Sequence, residues 1–226
     1  MKKTRLIVDI SMMVLLVLLM AYSHIGETLH EVLGTLIFVL FIVHHILNRK
    51  WTSAVFKGKY KPVRIFQTII NALLFIVMIL QPVSCIVLSK HLFTFLPSLH
   101  ITSQARTVHM LFAYWGFVLM SIHAGTHLTP MLNKLKKRKK GVRITAYTIT
   151  ALWAAYGCYA FIKRGLPGYM FMRSMFVFFD FSESRAYFFF DYISVAVLFM
   201  MIGFLIVKGL LGISAEKNKS SKKETI

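Results

Sequence analysis

The chain has 226 residues, 57% of them hydrophobic, and a formal net charge of +19 from 27 Lys and Arg against 8 Asp and Glu. The basic excess sits in short loops between uncharged apolar runs such as 10–23 and 65–89, a pattern that controls membrane topology with anionic lipid headgroups as partner, and excludes nucleic-acid binding. With only two cysteines, Cys85 and Cys158, and no Cys-x-x-Cys-His, a disulfide framework, a cysteine-based zinc site and covalent haem attachment are excluded.

Apolar stretches of about 18 or more residues are long enough to cross a bilayer. In chain order, spans are expected at about 5–23, 29–48, 65–89, 104–128, 143–163 and 189–211. The N-terminus has the basic start and apolar run of a signal peptide. It reads instead as a retained first helix, because Ala21-Tyr22-Ser23-His24 is a poor cleavage site. The predicted fold is all-α: a polytopic transmembrane helix bundle of six spans, in a single membrane domain over 1–213 with a basic cytoplasmic tail over 214–226.

Loop charges set the orientation. Lys2, Lys3 and Arg5, the loop with Arg49, Lys50, Lys57, Lys59, Lys61 and Arg64, and the run from Lys134 to Arg143 all fall on one face if there are six spans. The alternate loops are poorer in Lys and Arg, so both termini are expected to be cytoplasmic. The connection 164–190 on the other face is rich in aromatics yet holds Asp180, Glu183 and Arg185, the composition of an amphipathic segment or interfacial aromatic anchor.

Nine histidines are present, and polar groups at membrane depth are costly enough to mark function. His30 and His44 in the second span are fourteen residues apart, as are His109 and His123 in the fourth. Fourteen residues is close to four helical turns, about 21 Å of rise, with the two side chains within roughly 40° of one another. The two spans run in the same direction, so His30 can face His109 near the outer surface and His44 can face His123 near the inner one. Two histidines opposed across a bundle are what bis-imidazole ligation of haem iron requires. Zinc would want further ligands or an open water position. Two non-covalent b-type haems, stacked through the bilayer, are the expected cofactors.

Gly34 and Gly116 would admit a planar macrocycle against the helices. Arg106 before His109, and Arg49 and Lys50 after His44, could pair with haem propionates or with lipid headgroups. His45 and His127 are alternates for the inner ligands, whereas His24, His91 and His100 are expected to be exposed residues of the outer loops. Asp9 could relay protons for a quinone or pair with Arg5 at i+4 spacing. Trp51, Trp115, Asn71 and Gln81 complete the thin set of features that a quinone site could use.

The stretch His30-Glu31-Val32-Leu33-Gly34, followed by His44 and by Leu47-Asn48-Arg49-Lys50-Trp51, resembles the flavinylation-associated membrane cytochromes, and more distantly the four-helix cytochrome b core. Arg106, His109, the run from Ser121 to His127, the run from Phe178 to Glu183 and Phe190-Asp191-Tyr192 fit the same pattern, so that the resemblance spans roughly 5–210. It implies a dihaem cytochrome of the bacterial inner membrane with His30, His44, His109 and His123 as ligands. Such a protein would carry electrons between the quinone pool, or a cytoplasmic donor, and extracytosolic flavoproteins bearing covalent FMN. The flavin-binding partner comes from the resemblance alone.

No dinucleotide-binding glycine motif, nucleophile or acid–base pair is visible. An enzyme label would therefore come from a partner, the chain acting as an electron-transfer cytochrome b or as a subunit of a quinone-linked oxidoreductase. The rival readings are a metal-ion or proton transporter that uses the intramembrane histidines, and a non-catalytic membrane scaffold that would tolerate their loss.

Overall fold

The computed structural model describes residues 2–95, 102–129, 132, 137–174 and 176–224. Among them the regular structure is entirely helical: α1 (Lys2–Leu19), α2 (Tyr22–Ile25), α3 (Glu27–Leu47), α4 (Arg49–Ala54), α5 (Pro62–Leu88), α6 (Thr102–Thr126), α7 (Lys140–Lys163), α8 (Leu166–Met170) and α9 (Arg185–Glu224). Each of the six expected spans is a helix within a few residues of its expected place, except that the last runs on well past 211.

Among the described residues, four helices are long and apolar enough to cross a membrane: α3, α5, α6 and the Arg185–Ser214 part of α9. Large apolar side chains such as Ile69, Ile76 and Val83 of α5 point outward, the inside-out surface of a multi-pass protein whose solvent is lipid. The other two helices are less apolar. α1 carries Lys2, Lys3, Arg5 and Asp9, and α7 dilutes its apolar residues with Thr, Tyr and Gly.

Two breaks shape the chain. α1 ends at Leu19, and α2 then turns into α3 through Gly26, whose φ of 80° favours glycine. After α7, Gly165 at φ 64° turns the chain into α8. The expected amphipathic connection is thus a five-residue helix followed by turns and bends up to Arg185. Its face is split: Leu166, Tyr169 and Met170 are buried, while Phe176, Phe178 and Phe181 are exposed.

α6 is the centre of the bundle, packed on α5 along one side and on α9 along the other. α7 lies on α9, and α1 lies on α3, which also meets α5. The α6–α9 seam is tight. A Cβ on Gly125 would overlap the carbonyl of Met200, and one on Gly203 would overlap that of Ile122. Phe117 of α6 is completely buried beside Tyr192 and Val195 of α9. On its other side α6 presents Leu119 and Met120 to Val77 and Met78 of α5, Ile37 and Phe41 of α3 and Met12 of α1.

Candidate functional site

The four spaced histidines lie on α3 and α6, whose backbones make almost no direct approach. His30 and His109 bridge that separation near the N-terminal ends of both helices, with ring centroids 6.0 Å apart and planes at 66°. The helices therefore run in the same direction, as the span count requires. Two opposed imidazoles sharing one metal ion, at about 2 Å per metal–nitrogen bond, have ring centres about 6 Å apart. His30 Nδ1 is buried without a hydrogen-bond partner, an orphan of the kind that a ligand or a ring rotation satisfies.

His109 is held from α5. Its Nδ1 lies 3.3 Å from Ser84 Oγ, 3.2 Å from Gln81 Nε2 and 3.5 Å from Cys85 Sγ. Ser84 donates its own proton to the Gln81 carbonyl at 2.7 Å, so its oxygen is free to accept the His109 Nδ1 proton. With Nδ1 donating to Ser84, Nε2 of His109 is the lone-pair nitrogen that a metal ligand needs; the Gln81 amide nitrogen on the same atom can only donate and would favour the opposite tautomer. Pro82 lies in the same stretch of α5 and deprives the Met78 carbonyl of its helical N–H partner.

Next to His30, the Glu31 carboxylate gathers the chain leaving α5. It accepts Ser89 Oγ at 2.7 Å and the backbone N–H groups of Lys90 at 2.8 Å and Leu92 at 3.0 Å. Glu27 pairs with Lys90 at 2.6 Å and, through this hydrogen bond, holds the lysine pKa above its ordinary value.

The other end of the bundle holds four histidines. His44 Nδ1 is 2.8 Å from Asp9 Oδ1. Asp9 therefore pairs across helices with His44, and not with Arg5 in its own helix. His45 Nδ1 donates to the Phe41 carbonyl at 3.0 Å, and its ring lies 4.2 Å from Phe41 and 5.8 Å from Phe75. His123 and His127 approach one another with centroids 4.9 Å apart. At this end the nearest ring contacts of His44 and His123 are with neighbours on their own helices.

The remaining candidates are spread out. A Cβ on Gly34 would just touch Leu19 of α1, and one on Gly116 would press on Val77 of α5 at 3.0 Å. Arg106 is exposed on the first turn of α6, and Arg49 and Lys50 are exposed after α3. Gln81 lies beside His109, whereas Trp51 lines a cavity of about 290 Å³ with Arg64, Gln67 and Thr68 at the opposite end. Trp115 donates to the Met170 carbonyl at 2.9 Å. Asn71 has a buried side-chain oxygen without a partner. His24 is not an exposed loop residue: it is half-buried in α2 against Phe179 and Phe188, at 4.6 and 4.8 Å. His91 is exposed near Glu27, and His100 lies outside the described residues.

The polar groups that the sequence reading missed are the partners of the histidines. Ser84 and Cys85 are small residues in an apolar run, with nothing local to distinguish them. Asp191 is also more than a motif position: it is fully buried and accepts Tyr156 Oη at 2.6 Å, Lys163 Nζ at 2.9 Å and Arg164 Nε at 2.8 Å.

These features define a multi-pass, all-helical membrane protein with facing intramembrane histidines on two parallel helices. No protein-family model, no curated protein and no solved structure matches the chain.

Proposed function

We propose that the chain is a transmembrane electron carrier that holds two b-type haems, one between His30 and His109 and one between His44 and His123. The observation that carries this reading is the His30–His109 pair, two imidazoles 6.0 Å apart across helices that otherwise stay separate. Each of the two helices carries a second histidine, His44 and His123, fourteen residues further on. The donor set suits iron in a macrocycle, which needs only two axial nitrogens from the protein.

Bound haem would supply a one-electron couple. The chain supplies the rest. In this reading Ser84 would hold the Nδ1 proton of His109 and Asp9 that of His44, so that both imidazoles would offer Nε2. Phe112, Trp115, Leu119 and Ile122 of α6 keep water out of the space between the histidine ends. In this reading all six long helices cross the inner membrane, both termini are cytoplasmic, and the His30–His109 end faces outward. The quinone pool or a cytoplasmic donor on one side and an extracytosolic flavoprotein on the other are the exchange partners that the family resemblance suggests.

The test is a dithionite-reduced minus oxidised spectrum of the purified protein, with pyridine-haemochrome quantification. Two haems per chain are expected, falling to one in His30→Ala or His109→Ala and to one in His44→Ala or His123→Ala. A protein expressed with haem supplied that contains none sinks the reading. One observation favours a different function: the Asp9–His44 pair resembles the carboxylate–histidine relays of proton and metal-ion pathways. Stoichiometric Zn²⁺ binding by haem-free protein, lost in His44→Ala, would support transport instead.

A further inference from the structure

Asp9 is the only carboxylate in α1, and it meets a histidine 35 positions along the chain at 2.8 Å. A carboxylate can only accept at this distance, so the His44 imidazole carries its proton on Nδ1 and keeps a lone pair on Nε2. His45 is fixed otherwise, with Nδ1 committed to the Phe41 carbonyl and its ring packed against Phe41 and Phe75. At the opposite end, the groups on His109 Nδ1 are the uncharged Ser84, Gln81 and Cys85. Of these candidate ligands, His44 rests on a full negative charge and His109 on dipoles.

We propose that Asp9 is a positioning residue of the His44 site, which selects His44 over His45 as the ligand and lowers the reduction potential of the iron held there. A carboxylate behind a ligating imidazole fixes the ring and makes it a stronger donor. A negative charge near the metal favours the more positive, oxidised state. The inference rests on the haem reading above.

The test is a potentiometric titration of the purified holoprotein that resolves the two haem couples. Asp9→Asn removes the charge and keeps an oxygen able to accept the His44 hydrogen bond. It should retain two haems per chain and shift one couple about tenfold towards reduction, an upward move of about 59 mV for one electron. The shifted couple should be the one that His44→Ala abolishes, and its low-spin EPR g values should change with it. Asp9→Glu should restore both readouts, and His45→Ala should keep two haems.

Loss of only the His44-site haem in Asp9→Asn, recovered in Asp9→Glu, would also support the positioning role. Two haems with unshifted couples in Asp9→Asn, a shift confined to the couple abolished by His30→Ala, or loss of a haem in His45→Ala would overturn the proposal while leaving the dihaem reading intact. Absence of haem from the unsubstituted protein would remove both.

Discussion

Gly125 in α6 packs directly against the backbone carbonyl of Met200 in α9. Gly203 in α9 returns the contact to the carbonyl of Ile122, so one crossing is built from two reciprocal glycines. Backbone cannot swing aside as a side chain can, and in a bilayer such close approach is a main source of helix association. Gly125→Ala should destabilise the protein by about 1–3 kcal/mol, as overpacking does, seen as a lower unfolding temperature in detergent. Gly203→Ala should cost a similar amount, and the pair together less than the sum because they strain one crossing. Gly116→Ala is a milder comparison, since its Cβ would press only on the Val77 side chain. Equal losses at Gly116 and Gly125 would show that the seam is not the close contact described.

The C-terminal end of α7 and the N-terminal end of α9 are joined by a largely buried charge network. Asp191 is fully buried and ion-paired with Lys163 and Arg164, and Glu183 closes on Arg164 at 2.6 Å. Asp191→Asn would leave Arg164 and the partly exposed Lys163 facing one carboxylate, with the Asp191 position itself out of reach of water. Breaking a buried pair from one side costs about 3–5 kcal/mol. Thermal scans in detergent should show that loss, little changed by salt because the group is not solvated. Glu183→Gln should cost less, since that side chain is 18% exposed.

How much of this was legible beforehand depends on the range of each interaction. The helices and the shared direction of α3 and α6 followed from apolar run lengths and alternating loop charge. The His30–His109 pairing followed from two equal spacings. Asp9 shows where that reasoning stops. Arg5 stood at a favourable local spacing, while the actual partner, His44, is brought in by α1 packing on α3. The glycines tell the same story. Gly34 and Gly116 stand near the histidines in sequence, but what a glycine admits depends on the opposing backbone, and the tightest approaches fall at Gly125, Gly157 and Gly203.

Ser84 is 3% exposed and is the hydroxyl placed to accept the His109 Nδ1 proton. Ser84→Ala deletes that acceptor and leaves the imidazole N–H facing Gln81 Nε2, which can only donate, and Cys85 Sγ, a weak acceptor. The expected cost is about 1–2 kcal/mol of stability for an unsatisfied buried donor. Loosening a ligand's outer partner also typically weakens metal binding by 10-fold or more. On the proposed dihaem reading, haem retention during dilution should therefore fall at the His30–His109 site and stay unchanged at the other, with Ser84→Thr close to the original protein. Equal loss at both sites would mean that the substitution disturbs the bundle as a whole.

Glu31 supplies the last contrast, between a carboxylate that organises backbone and one that makes an exposed ion pair. Its oxygens accept Ser89 Oγ and the N–H groups of Lys90, His91 and Leu92, which otherwise have no helical partners beyond the end of α5. Hydrogen bonds to a charged group contribute about 1.5–3 kcal/mol each when buried, and less here because the loop is partly wet. Glu31→Ala should release 89–92 and raise tryptic cleavage after Lys90 by about tenfold or more, since proteolysis follows the open population. Glu27→Ala removes only exposed contacts, to Lys90, His91 and Tyr22 Oη, which solvent screens to little net stabilisation, and should leave the cleavage rate within about a factor of five. If the two variants are cleaved alike, the loop is held by charge pairing and not by the carboxylate-to-backbone bonds.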